Sequence, residues 1–509
     1  MAASRQASSY QDVPYAPTGP GGLDRRVALR KNNRMPLDED RFWKVAAAKQ
    51  MSVIVDAEEY FRHARSAMLK ARRRIMLIGW DFDGRINLVP DGHLEDEPRS
   101  VGEFIYWLVK RTPTLEVCLL RWDVGALKTL VRGSNMLTLA KWMSHDRIHT
   151  KLDSFHPPGA SHHQKIVVID DCLAFCGGID MTGERWDTRE HKDVEPGRVH
   201  PNGKTYKPWH DATTAMQGPV AARFGELARD RWHFAGGKKL EAIGDVSDCW
   251  PDDLHPDFRD IDVGIARTRP NMPDCPEIRE IEALFVDQIA RAKKSIYAES
   301  QYFASRKIAE AIAVQLERED GPEIVIVNPE AAQGWLEPLA MDTARARLFV
   351  TLKKRDRHER LRMYHPYTAG GEPIYVHAKI MIVDGRILRI GSANFNNRSL
   401  GLDTECDVAI EAGPAEAGIV RGIRDGLLAE HLGVSVDTLS REIDAHHSLI
   451  QAIENLRGAG RSLRPYAVPD LTAVEAWLAD NEVLDPESPS EMFEPTTRRG
   501  LFRRLRKYT

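Results

Sequence analysis

Along 57–72, AEEYFRHARSAMLKAR, apolar residues recur at three- and four-residue intervals, which predicts an amphipathic helix. It runs into RRIMLIGWDFD, where consecutive Ile75, Met76, Leu77 and Ile78 predict a buried strand. The same helix-then-strand unit returns about 220 residues later, as PEIREIEALFVDQIARAKK at 276–294 followed by SIYAESQYF. A second pair of matching stretches, HQKIVVIDDCLAFCGGID at 163–180 and HAKIMIVDGRILRIGSANF at 377–395, is offset by 214 residues. Repeats at nearly one offset divide the chain into a first half at 41–250 and a second at 251–435. A flexible arm, 1–40, rich in Ser, Pro, Gly, Arg and Asn, is expected before them, and a C-terminal extension, 436–509, with helices at 439–456 and 473–481, after them. The Pro- and Asp-rich segment 249–260 makes the expected linker between the halves.

Apolar runs at 117–120, Ile166–Ile169, 324–327 and Ile380–Val383 alternate with helical stretches in each half. That order predicts an α/β fold: two similar sandwich halves, each a mixed β-sheet flanked by helices, related by pseudo-two-fold symmetry around one shared active site. A chain of 509 residues, 42% hydrophobic and 29% charged, has enough apolar surface for a large core, and its composition is that of a soluble globular protein. The formal net charge of -4 supplies no global attraction for nucleic acid, so no nucleic-acid partner is expected. Six cysteines without a Cys-x-x-Cys pair argue against a disulfide scaffold or a structural zinc site and fit buried thiols in a reducing compartment. No apolar stretch reads as a signal peptide or a transmembrane helix, so cytoplasmic residence as a monomer is expected.

The repeated stretches carry the chemistry. His163 and Lys165, then His377 and Lys379, are two residues apart, a spacing that on a strand projects both side chains to one face. A phosphodiester needs a nucleophile at phosphorus and a proton for the leaving oxygen, and two histidines can divide those tasks. Two lysines can offset the charge on the non-bridging oxygens, so neither metal nor cofactor is expected. Asp170 and Asp384 complete each catalytic motif but are expected to brace loops. A carboxylate behind each histidine should fix its tautomer; Asp211 is expected to serve His163, and Glu405 to serve His377.

These residues resemble the duplicated H-x-K-x4-D signature of the phospholipase D superfamily, closest to its phosphatidylcholine-cleaving members. The resemblance extends to HHQKIVVIDDCLAFCGGIDMTGERWDT at 162–188, to YVHAKIMIVDGRILRIGSANFNNRS at 375–399, and to the flanking KPWHDATTAMQGPVAARF and ESQYF. It implies that His163 is the nucleophile, forming a phosphohistidine, and that His377 is the general acid and then the base. It also implies that Lys165 and Lys379 hold the phosphate, aided by Ser392 and Asn394. The first half departs from that pattern, with Gly178 and Asp180 at the positions of Ser392 and Asn394. Spacing treats the two histidines alike and leaves their roles open.

The implied activity is hydrolysis of glycerophospholipids to phosphatidic acid and free head group, with transphosphatidylation as a branch. A cardiolipin synthase-like phosphatidyltransferase is the alternative, and a nuclease is disfavoured by the acidic balance. Arg498, Arg499, Arg503, Arg504, Arg506 and Lys507 surround Leu501, Phe502 and Leu505 in a basic amphipathic pattern suited to peripheral contact with an anionic membrane.

Overall fold

The computed structural model describes residues 37–90, 97–123, 141–142, 144–244, 248–272, 274–332 and 341–469. The N-terminal arm up to residue 36, the helix expected at 473–481 and the basic end at 498–507 lie outside the described residues.

The first half contributes β1 (Lys44–Val55), β2 (Arg74–Gly79), β3 (Glu116–Trp122), β4 (Ile148–Asp153), β5 (Ile166–Ile169), β6 (Leu173–Gly177), β7 (Trp209–His210) and β8 (Ala212–Gln217). The second contributes β9 (Phe258–Arg269), β10 (Ile278–Arg279), β11 (Ser295–Glu299), β12 (Glu323–Val327), β13 (Leu361–Tyr367), β14 (Tyr375–Val376), β15 (Ile380–Val383), β16 (Ile387–Gly391) and β17 (Glu405–Glu411). A last strand, β18 (Ser462–Pro465), adds to β13 at the sheet edge. Helices α1 (Ala57–Lys70), α2 (Val101–Arg111), α3 (Pro219–Phe234), α4 (Glu280–Arg291), α5 (Arg306–Glu317), α6 (Thr343–Arg355), α7 (Ala417–Leu432), α8 (Val436–His446) and α9 (Leu449–Leu456) flank the sheet.

Among the described residues one 16-stranded sheet runs through the molecule. Its junction is the antiparallel pair β1–β9, from Lys44↔Ile265 to Met51↔Phe258. Outward from there the first half reads β1-β8-β6-β5-β2-β3-β4 and the second β9-β17-β16-β15-β11-β12-β13. In both, the pairings are antiparallel as far as β2 or β11 and parallel beyond.

Strand alternation explains the continuous apolar runs. On β5, Ile166 and Val168 enter the core shared by both halves, while Val167 and Ile169 enter a core under α1 and α2. On β15, Ile380 and Ile382 face the shared core, and Met381 and Val383 face one packed with residues of α4 and α5. A sheet covered on both faces needs apolar side chains at every position, and truncating one to alanine costs about 2–5 kcal/mol.

Three sequence expectations change in detail. The helix expected at 439–456 is two helices, because His447 turns left-handed (φ 51) and Ser448 caps the second by accepting from the Gln451 N–H at 2.9 Å. Beyond 436 the chain adds β18 to the sheet, and Leu439, Ile453 and Leu463 join the shared core. Within 249–260, Cys249 and Trp250 are buried in the first half's core rather than spanning solvent. None of the six cysteines forms a disulfide.

Candidate active site

Each H-x-K pair lies just ahead of its strand, β5 or β15, in extended chain that crosses to the other half. The His163 N–H donates to the Thr404 carbonyl at 2.9 Å, and the His377 N–H donates to the His210 carbonyl at 2.8 Å. Tyr375 and Val376 pair in parallel with Trp209 and His210, and His162 bridges Thr404 in the same sense. Thr404 and His210 immediately precede Glu405 and Asp211. Each histidine is therefore laid against the carboxylate-bearing segment of the opposite half.

The consequence corrects the expected partners. His163 Nδ1 lies 3.0 Å from both Glu405 oxygens, and His377 Nδ1 lies 2.7 Å from Asp211 Oδ2. The pairing is crossed: Glu405 serves His163, and Asp211 serves His377. Strand register makes the two acids equivalent, since Gly177 pairs with Thr213 and Gly391 with Asp407. The sequence hides that equivalence, because 31 positions separate Asp180 from Asp211 and 11 separate Asn394 from Glu405. With each acid ionised, its oxygens only accept, so each Nδ1 carries the proton and each Nε2 presents a lone pair.

The supports behind the two imidazoles differ. Glu405 accepts from the hydroxyls of Ser392 and, at 2.7 Å, Ser399. Ser392 thus holds the carboxylate, a correction to its expected contact with phosphate. Asp211 Oδ1 accepts the Ala212 N–H at 2.8 Å. Gly178 stands opposite Asp211, and a Cβ there would come within 2.1 Å of Asp211 Oδ1, so any side chain at this position has to displace the carboxylate. Lys165 Nζ donates to the His163 carbonyl at 2.7 Å and pairs with Asp180 at 3.2 Å. Lys379 Nζ donates to the His377 carbonyl. Asn394 is buried, and its Oδ1 has no partner among the described residues.

Burial, then Lys165 and Lys379, hold His163 well below the ordinary histidine value. Burial, then Lys379, Arg185, Lys165 and His163, do the same for His377, so groups from both halves act at one place. Burial pushes Glu405 up to about 7 and Asp211 up to about 6, against the pull of the lysines. Burial pushes the Lys379 amine down to about 7, partly offset by Asp211. In the absence of an anion both imidazoles are neutral; an anionic ligand would favour protonating one of them.

Asp170 and Asp384 stand away from this centre. Asp170 accepts the backbone N–H groups of Arg72, Arg73 and Arg74 at 2.6–2.8 Å, and Asp384 those of Lys293, Lys294 and Ser295 at 2.7–3.2 Å. They brace the turns into β2 and β11, as expected of them, and are removed from the candidate catalytic group. Arg185 was missed as a site residue although it lies in the quoted GERWDT. Its guanidinium sits 4.2 Å above the Trp209 ring, and that ring is 5.0 Å from His377. Its sequence signal is an arginine next to a tryptophan just past the first motif, in GERWDT at 183–188.

Residues 67–249 match a family model described as Phospholipase D, and 285–420 one described as Cardiolipin synthase, PLD-like domain. Phospholipase D alpha 1 of Carica papaya is 25% identical over 518 residues, covering 73% of this chain and 63% of that protein. Its Arabidopsis thaliana counterpart is 25% identical over 525 residues, with the same two coverages. The chain thus spans less than two thirds of the length of these curated relatives. The crystal structure of a phosphatidylserine synthase from Haemophilus influenzae Rd KW20 shares the fold, with a TM-score of 0.53 at 14% identity over 84% of this chain and 99% of that one. With both halves matched by family models and both H-x-K pairs brought to one centre, the chain belongs to the phospholipase D superfamily.

Proposed function

We propose that the protein is a phospholipase D-type phosphodiesterase that cleaves the distal phosphodiester bond of glycerophospholipids, giving phosphatidic acid and the free head group. The crossed histidine–carboxylate pairs carry this reading: two neutral imidazoles, each with Nδ1 committed to a buried acid, flanked by two lysines. In the first step His163 Nε2 bonds to phosphorus and the bond to the head-group oxygen breaks. His377 gives that oxygen its proton. In the second step His377 takes a proton from water, the water oxygen bonds to phosphorus, and the bond to His163 Nε2 breaks. Lys165 and Lys379 offset the charge on the non-bridging oxygens.

The local acids favour this division of roles. Asp211 makes the shorter contact with its histidine, 2.7 Å against 3.0 Å for Glu405. An imidazolium is better stabilised beside the nearer carboxylate, which suits His377 to acid work. The His163 side chain is 17% exposed against 6% for His377, in keeping with attack on an incoming phosphorus. Phosphatidyl transfer to an alcohol is the second reading, favoured by the description of the family model matched at 285–420. It uses the same intermediate.

The test is release of head group and phosphatidic acid from mixed phospholipid vesicles by wild type, His163→Ala and His377→Ala, with a short primary alcohol in parallel. Release by wild type alone, diverted to phosphatidyl-alcohol, is expected; silence on every lipid with cleavage of single-stranded DNA overturns the substrate class. Deleting 498–507 should weaken binding to anionic vesicles, by loss of its six basic residues.

A further inference from the structure

One residue before Asp211, the His210 side chain enters a second buried cluster that the phosphodiester chemistry does not use. Asp56, between β1 and α1, His191, in the loop after β6, and Glu430, on α7, meet it there. One donor atom from each of the four lies within 4.8 Å of all the others. His191 Nε2 is 3.3 Å from Asp56 Oδ2 and 3.1 Å from Glu430 Oε1, and His210 Nδ1 is 3.3 Å from Asp56 Oδ1 and 3.0 Å from Glu430 Oε1.

Two of these atoms, Asp56 Oδ2 and His210 Nδ1, are fully buried and have no hydrogen-bond partner among the described residues despite that proximity. They miss hydrogen-bond geometry with these neighbours, whereas His191 Nε2 meets it with Glu430 Oε1 at 3.1 Å. A tetrahedral ion with bonds of about 2.0–2.1 Å holds adjacent donors about 3.3 Å apart, close to the spacings here. The outer contacts fit as well. His191 presents its other nitrogen to Asp187 at 3.1 Å, and Arg198 and the Trp209 N–H hold that carboxylate. His210 presents Nε2 to Glu299 at 2.8 Å, which His431 and the Tyr297 hydroxyl also engage. Carboxylates behind both imidazoles are what orient histidine ligands.

We propose that Asp56, His191, His210 and Glu430 bind one structural zinc ion. Two imidazole nitrogens and two carboxylates suit zinc among divalent ions, and four protein ligands close the site against substrate. The ion ties the β1–α1 junction and the loop after β6 in the first half to α7 in the second. Through His210 it steadies the carbonyl that accepts from His377 and the adjoining Asp211. It supplies no step of the phosphoryl transfer.

The test measures zinc in the full chain by mass spectrometry, as purified and after refolding with zinc, without reference to lipid cleavage. One zinc per chain is expected in wild type and in His446→Ala, an exposed histidine outside the cluster, with loss in His191→Ala and Glu430→Gln. Should those two variants fail to fold, X-ray absorption at the zinc edge of wild type decides: nitrogen and oxygen at about 2.0–2.1 Å support the site, and sulfur at about 2.3 Å overturns it. Wild type that takes up no zinc in either preparation, or folded variants that keep it in full, likewise overturns it.

Discussion

The two H-x-K sites stand on the same strand order but differ in what lies behind each histidine. In the second half Ser392 turns its hydroxyl onto Glu405; in the first, Gly178 leaves the space that Asp211 fills. Lys165 is paired with Asp180, whereas the second half has Asn394 at the position equivalent to Asp180. Because the carboxylates cross, the Ser392 side governs His163 and the Gly178 side governs His377. The duplicated strands supply two like scaffolds, and the residues behind the imidazoles split one chemistry into two roles.

The sharpest way to break that comparison is to remove each histidine. Loss of the general acid should cost about 10²–10⁴-fold on a phospholipid, and loss of the nucleophile at least as much. On a p-nitrophenyl phosphodiester, whose leaving group needs no proton, His377→Ala should recover turnover and His163→Ala should not. Recovery by His163→Ala instead would exchange the roles.

Next in size are the carboxylates. Asp211→Asn should lower kcat by up to about 10⁴-fold, as expected when a histidine loses its anionic partner, and Gly178→Ala should mimic it by displacing Asp211. Glu405→Gln should cost less, and equal losses in steady-state kinetics would erase the distinction drawn between the two acids.

A pH profile isolates the contribution of Lys379. Burial lowers Lys379 to about 7, so kcat/KM, which reports the free enzyme, should decline on the alkaline side around that value. An ordinary lysine would hold its charge to about 10.4. Above the folded value the amine is neutral and its attraction for phosphate is lost. Lys379→Arg, always charged, should move the limb upward by more than about one unit even at a reduced rate; an unmoved limb assigns it to another group. The smallest effect is expected of Ser392→Ala, which removes one hydroxyl from Glu405 at a cost of about 1–3 kcal/mol, read as a lower Tm and a kcat reduced by less than about tenfold.

Much of the fold was legible because its determinants are local. Alternation at Ile166–Ile169 and Ile380–Val383, and the helix-then-strand units that open each half, reflect periods of two and 3.6 residues. Asp170 and Asp384 were readable as braces because their partners lie at the ends of those same units. The break at His447 was missed because one left-handed residue inside an apolar helical pattern leaves no periodic mark. Arg185 was passed over because its reach to Trp209 depends on a loop whose path the motif does not encode. The cluster of Asp56, His191, His210 and Glu430 gave no spacing signal at all, and cysteine spacing, the cue sought for zinc, is irrelevant to a nitrogen and oxygen donor set.

By itself the sequence determined the residue types of the centre, the duplication and the strand pattern, since these depend on neighbours along the chain. Only the tertiary structure decided which acid serves which histidine. Glu405 lies 242 positions from His163, and Asp211 166 positions from His377. Those distances close through the β1–β9 junction and the crossing of each H-x-K segment into the opposite half. Burial at that crossing, more than residue identity, moves the carboxylates and Lys379 toward neutral pH, because desolvation exists only once both halves are packed together.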